Sequence, residues 1–424
     1  MSGDLADAST DCLNGSPANP SAAAPRARPL LVIAALGLTQ IIGYGTLYYS
    51  FSILAPAMAH DFGWPTEWIF GVLSGALLIG GLAAPWAGRW IDHYGAARIM
   101  TVGSLAAAAA LIACALAPVG IAFVPALIAV EIASTLVQYG AAFALLVQQQ
   151  PRTAQRSIVH LTLIAGLASM IFWPFTTALH NALSWQQVYF VFAAMNFFIC
   201  LPIHAWLSRL NRRPDKTGDA DATAPNATVD GSLPLAARRR GSILLSIGFA
   251  LQSFVSSAIL VHMLPLLGAL GLGVAGVMVG TLFGPAQVTS RFINMMFGKN
   301  LSQLRLAMIS AAMLPASAAL LLLTAPSVPG ALAFAVLFGM GNGLYSIVSG
   351  VLPLALFGSE GYGARQGQLM SVRLIVSSAA PFAFALLMEN IGVNWALTIT
   401  AILGSGALLA FLGIARLYRE PHAG

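Results

Sequence analysis

The chain has 424 residues, of which 58% are hydrophobic and 8% charged, with a formal net charge of +6 and three cysteines. That is about a third of the charge density of a soluble domain, and no water-soluble fold could hide so much apolar surface, so the solvent is lipid. The cations lie scattered beside apolar spans, where membrane insertion and anionic lipid account for them without a nucleic-acid partner. The cysteines Cys12, Cys114 and Cys200 have neither a disulfide framework nor a metal-ligand spacing.

Residues 1–29 are rich in Ala, Ser, Pro and Asp and lack an apolar stretch, which predicts a disordered cytoplasmic tail rather than a secretory signal. Apolar spans follow at Leu30–Ile53, Trp68–Trp86, Ile99–Leu116, Ile121–Val147, Ile158–Leu179 and Val188–Leu207. After a polar linker they resume at Ile243–Leu266, Val274–Phe297, Leu304–Thr324, Ala331–Phe357, Leu369–Met388 and Trp395–Ile414. Each is near the ~20 residues that carry a helix across a hydrocarbon core of ~30 Å. The predicted fold is therefore an all-α membrane protein of twelve transmembrane helices in two six-helix halves. The halves are 30–208 and 242–416, joined by a cytoplasmic linker, 209–241, with a short cytoplasmic tail at 417–424.

The basic residues orient these spans. Arg26 and Arg28 precede the first, Arg89 and Arg98 follow the second, and Arg152 and Arg156 follow the fourth. The linker holds the run from Arg209 to Arg240. Arg291, Lys299 and Arg305 are assigned to the turn after the eighth span, Arg365 and Arg373 to the region after the tenth, and Arg416 and Arg419 to the end. The alternate connections contain only Asp61, Glu67 and Glu389 as charges. Cationic loops stay on the cytoplasmic face during insertion, which predicts a multi-pass inner-membrane protein with both termini cytoplasmic.

Weak internal similarity makes the halves pseudo-symmetric. Gly80 with Pro85 recurs as Gly280 with Pro285, and Trp173-Pro174-Phe175 recurs as Ala380-Pro381-Phe382. The turn after the second span reads Gly88-Arg89-Trp90-Ile91-Asp92-His93-Tyr94-Gly95-Ala96-Ala97-Arg98. This turn, the span count and the long central linker resemble the major facilitator superfamily. Gly88, Asp92 and Gly95 match that family's loop in register, while His93 stands for its first basic residue and Arg98 is all that remains of the later basic pair. An Asp at a helix end can meet cations or a facing helix N-terminus and hold the cytoplasmic side shut. Arg291, Gly298 and Lys299 form a degenerate copy in the second half.

Gly43-Tyr44-Gly45 with Tyr48-Tyr49, Gly63-Trp64 and Phe172-Trp173-Pro174 look loosely like bacterial members related to monocarboxylate and oxalate–formate transporters. Pro174 lacks the following glycine pair of the drug–proton antiporters. Gly271-Leu272-Gly273-Val274-Ala275-Gly276 spells a nucleotide-binding pattern, but it lies between two spans with no strand before it, and reads as loop glycine.

Glu131 is the one carboxylate deep in a span, roughly 16 Å from the start of its helix. An ionised carboxylate there is costly, so it must be neutral or paired, and a group that gains and loses a proton is what proton coupling needs. Ser134, Thr135 and Gln138 continue its stripe. Arg373 either snorkels to the cytoplasmic face or meets an anion, with Ser377 and Ser378 one turn on. The helical period puts Tyr44 and Tyr48 on one face of the first span, a turn after Gln40.

The family resemblance implies that spans 1, 4, 7 and 10 line a central cavity. It thereby nominates Gln40, Tyr44, Tyr48, Gln138, Gln252, Ser256, Asn342 and Ser346 as substrate-binding, beside Arg373 and Ser377. Glu131 is nominated for proton coupling, and Gly88, Asp92, Gly95, Arg98 and Arg291 for gating. Each polar side chain could equally be a hydrogen bond between helices. A pairing of Glu131 with Arg373 in the empty cavity is also expected.

The implied function is a secondary transporter of a small organic anion or similar metabolite, moved with protons. Its partners would be that cargo, protons and membrane lipid, without nucleic acid, metal or cofactor, in a monomer that is not an enzyme. An efflux permease is an alternative, and a non-transporting membrane sensor another.

Overall fold

The computed structural model describes residues 29–210, 228–273 and 275–418. The expected tail with Cys12, the middle of the linker and the end of the C-terminal tail lie outside the described residues. Eleven helices among the described residues are long and apolar enough to cross a membrane. In the first half these are α1 (Leu30–Phe62), α2 (Thr66–Tyr94), α3 (Ala96–Ala115), α4 (Gly120–Gln149), α5 (Ala154–Ala182) and α6 (Trp185–Leu210). The second half begins with α7 (Leu235–Val261), and its α8 is built of two pieces, Ala275–Thr281 and Phe283–Phe297, each shorter than a span. Then come α9 (Gln303–Thr324), α10 (Val328–Phe357), α11 (Tyr362–Ile391) and α12 (Val393–Leu417). With the two-piece α8 the bundle has twelve spanning elements.

Several boundaries follow from local chemistry. α1 runs past the expected Ile53 because Leu54, Ala55, Met58 and Ala59 keep burying one face, and Gly63 ends it in the left-handed conformation with φ +63°. Gly95, at φ +89°, makes the sharp turn between α2 and α3 that a side chain would strain. Ser184 opens α6 with a reciprocal cap to Gln187. The arginines at 238–240, expected in the linker, lie in the opening turns of α7.

Three apolar cores organise the bundle. One, from Ile42 to Cys200, belongs to the first half alone. Another, from Val255 to Leu397, belongs to the second half alone. The third joins both, with Ile91, Phe143 and Ile158 beside Phe249, Val351, Tyr362 and Leu369. The shared core lies at the end of the bundle where the linker attaches, so the halves cohere there and are separate cores at the far end. At that linker end residues 229–233 lie along the turn between α10 and α11. Ser232 and Leu233 donate to the carbonyls of Ala355 and Leu356 at 2.9 and 3.1 Å, and Ser359 donates to Val229 at 2.9 Å.

Candidate functional site

Three breaks in the first half shape its wall at mid-depth. α1 widens into a π-turn over Gly45–Tyr49. A side chain at Gly45 would strike the Phe172 ring of α5, so the absence of a Cβ lets that ring fill the turn. α4 breaks at Gln138, whose backbone is extended, and the freed Val137 carbonyl accepts from the Gln40 amide at 2.7 Å. α5 is interrupted at Gly166 and Leu167. Polar, broken helices at membrane depth are tolerated where they line protein or a cavity.

These breaks gather aromatic rings. Tyr139 begins the lower half of α4 and sits 4.7 Å from Tyr44, with Phe143 stacked on it at 4.9 Å. Tyr44 and Tyr49 are 6.3 Å apart, and Tyr49 and Tyr48 5.3 Å. The expected pairing of Tyr44 with Tyr48 on one face is thus corrected. The extra residue per turn brings Tyr49 beside Tyr44 and leaves Tyr48 46% exposed.

Glu131 is 4% exposed and lies where Gly80 lets α2 approach α4. Ser134 donates to its Oε2 at 3.4 Å, and its Oε1 has no partner among the described residues. The expected pair with Arg373 does not form. Glu131 is enclosed in its own half, and the single ion pair among the described residues is His60 with Asp61.

The second half faces this wall with two guanidiniums. Arg373 lies 4.9 Å over the Tyr345 ring, and its Nε is buried without a partner. Tyr345 is held by Ser253 and the Phe249 carbonyl. Arg291 was expected in a turn but lies inside α8, 5% exposed. Its donors reach the carbonyls of Thr162 on α5 at 3.0 Å and Gly343 on α10 at 3.3 Å, and Gln287 at 3.2 Å. A side chain at Gly166 would collide with it, so the break in α5 makes room for a cation from the other half. Arg373 is within electrostatic reach of Tyr44, and Arg291 of Tyr49 and Tyr139.

The remaining nominated residues divide. Ser256 on α7 donates to the Asn342 amide oxygen on α10, and Asn342 donates to the Phe338 carbonyl. Ser346 donates to the Gly343 carbonyl, and the Ser377 carbonyl accepts from Ser257. Ser256, Asn342, Ser346, Ser377 and Gln138 are all half-buried. Gln40 and Gln252 are fully buried struts within their own halves, the latter on Ser310 at 2.9 Å, and present no surface to a cargo in this conformation. Sequence reasoning passed over Tyr139 and Tyr345, although Tyr139 follows a nominated Gln138.

Below this level the linker end is shut by α2 against α11. Gly88 touches the Gly363 carbonyl region and Gly367 touches that of Ala84, so the backbones meet without side chains between them. The Asp92 carboxylate accepts from the backbone N–H groups of Gly363 and Ala364 at 2.8 and 2.7 Å. It thereby caps two of the unpaired donors at the start of α11, where the helix dipole favours a negative charge. Gln303 and Gln155 add a long amide contact at 3.4 Å. Arg98 is exposed and has no partner among the described residues.

Two helical halves, closed at one end over half-buried polar groups at mid-depth, define a membrane transporter. The chain belongs to the Major Facilitator Superfamily, whose family model matches residues 36–381. The human organic anion transporter MFSD10 (TETRAN) superposes with a TM-score of 0.68 at 14% identity, over 92% of this chain and 100% of that one. FucP, a member of the same superfamily in its outward conformation, gives 0.66 at 14% identity, over 91% and 99%. A singly substituted form of the Escherichia coli fucose:proton symporter FucP gives 0.64 at 12% identity, over 91% and 98%. At these identities the likeness is one of fold. No curated protein sequence matches the chain.

Proposed function

We propose that this transporter moves a small organic anion together with protons, by alternating access, across the bacterial inner membrane. The observation that carries the reading is Arg373, a cation inside the bundle that no carboxylate meets among the described residues and whose Nε is buried without a partner. Guanidinium cannot be neutralised, so an unpaired one in a low-dielectric wall favours an anion that completes it. The linker end carries the basic turns and is assigned to the cytoplasm. On that reading the closed gate faces the cytoplasm and cargo enters from outside. Organic-anion transport and proton symport are each associated with a protein of this fold.

Glu131 supplies the coupling in this scheme. A proton taken up from the open side and released after the halves rock would tie cargo movement to the proton gradient. Glu131→Gln is expected to keep counterflow of cargo while abolishing accumulation against a gradient in proteoliposomes. Full accumulation by that variant would remove the residue from the coupling scheme.

The cargo class is tested on purified protein by calorimetry with acetate, succinate, cyclohexanecarboxylate and benzoate. At least one is expected to bind, and Arg373→Ala to lose it. Arg373→Lys is expected to weaken it by about 1–3 kcal/mol, as for a lost charged hydrogen bond. Binding unaffected by Arg373→Ala would mean that the side chain only packs on Tyr345.

A further inference from the structure

The aromatic rings of the first half form a continuous row from the exposed Tyr48 to the shared core. Centroid steps of 5.3, 6.3, 4.7 and 4.9 Å connect Tyr48, Tyr49, Tyr44, Tyr139 and Phe143. Exposure falls from 46% at Tyr48 to 1% at Phe143, which closes the row against Gly350 of α10. Helix geometry was altered to build it: the π-turn in α1 brings Tyr49 to Tyr44, and the break at Gln138 starts the segment that carries Tyr139. π-turns recur at functional sites.

A ring face is the negative side of an aromatic quadrupole, so a compact anion gains nothing by lying on it. Acetate or a short dicarboxylate would use Arg373 and leave the row unused. An organic cation would favour the rings but meet two guanidiniums. One kind of cargo uses both walls: an anionic head for Arg373 with a flat, unsaturated body for the tyrosines. We infer that the cargo is an aromatic carboxylate, its ring laid against Tyr44 and Tyr139 and its carboxylate turned to Arg373. This rests on the organic-anion reading and narrows it.

The tyrosines could also serve only as hydroxyl donors to an anion, and the test separates the two roles. Benzoate and cyclohexanecarboxylate carry the same charge on a six-carbon ring, and only the first is flat and aromatic. Calorimetry on the purified full chain is expected to give benzoate about 3- to 10-fold tighter binding, the usual range for one aromatic pair. Tyr44→Phe keeps the ring and is expected to keep that ratio, whatever happens to absolute affinity. Tyr44→Leu is expected to bring the ratio to about 1, with Tyr139→Leu as the second variant if the first does not fold. Equal binding of the two acids to the native protein overturns the inference while leaving the anion reading in place. A ratio unchanged in the leucine variants, or lost in Tyr44→Phe, also overturns it. If none of benzoate, cyclohexanecarboxylate, succinate and acetate binds, the organic-anion reading itself falls.

Discussion

The two ends of the bundle are held together by different means. At the linker end one apolar core runs through both halves, and backbone atoms of α2 and α11 touch. At the far end each half keeps its own core. The halves are therefore separate at the far end, and the shared core, the gate and the Arg291 bridge to Thr162 favour this arrangement. The contrast teaches that the closed end can be undone without unfolding either half. Alternating access requires that property.

The contrast can be broken most strongly at Gly88. A side chain there meets the backbone of Gly363, so Gly88→Leu is expected to deny closure to the linker end. Overpacking costs about 1–3 kcal/mol, which shifts a two-state equilibrium roughly 5- to 150-fold. In a cysteine-free background, Met370→Cys beside the gate should then react faster with an impermeant thiol reagent applied to everted vesicles. An unchanged rate would mean that α2 and α11 do not control entry.

Asp92→Asn acts on the same end more gently, removing the charge from the α11 cap while keeping one acceptor. About 1 kcal/mol is expected, or roughly fivefold in the same labelling rate. A native rate in low salt would show that shape alone holds the gate. Gln303→Ala is the smallest perturbation. Its 3.4 Å contact is long for a hydrogen bond, so a shift under about 0.5 kcal/mol is expected. A change as large as that of Asp92→Asn would move the energetic centre of the closed end to α5 and α9.

Orientation is tested by single cysteines. At Glu67 and Asn390 they are expected to react in intact cells, and at Lys299 only after the membrane is opened. Labelling of Lys299→Cys from outside would invert the topology. All three positions are exposed, so the readout does not depend on conformation.

What the sequence could show was set by spacing and hydropathy. Twelve apolar runs predicted the spans, because lipid imposes helix length directly. Gly88, Asp92 and Gly95 stood in one turn, and their local pattern was visible, but the partner of Asp92 was a helix start 271 residues away. Arg291 was misplaced into a turn because nothing near it in sequence announces carbonyls on α5 and α10. Tyr48 was paired with Tyr44 by an ordinary helical period. The π-turn that substitutes Tyr49 depends on Phe172 filling the space over Gly45, which is tertiary packing. Gln40 and Gln252 looked like cavity polars, whereas breaks and serines in their own halves claim them.

The bare approach of α2 to α11 has a consequence for speed. Interdigitated side chains must change rotamer, one by one, before two helices part. At Gly88, Gly363 and Gly367 there are no rotamers to change, so the seam resembles two smooth rails that separate as rigid bodies. Along this seam the barrier lies in desolvating and rehydrating a few carbonyls and one carboxylate, and repacking falls to the side chains of the shared core. Bulk added anywhere along those rails would be felt first as lost frequency of opening and closing.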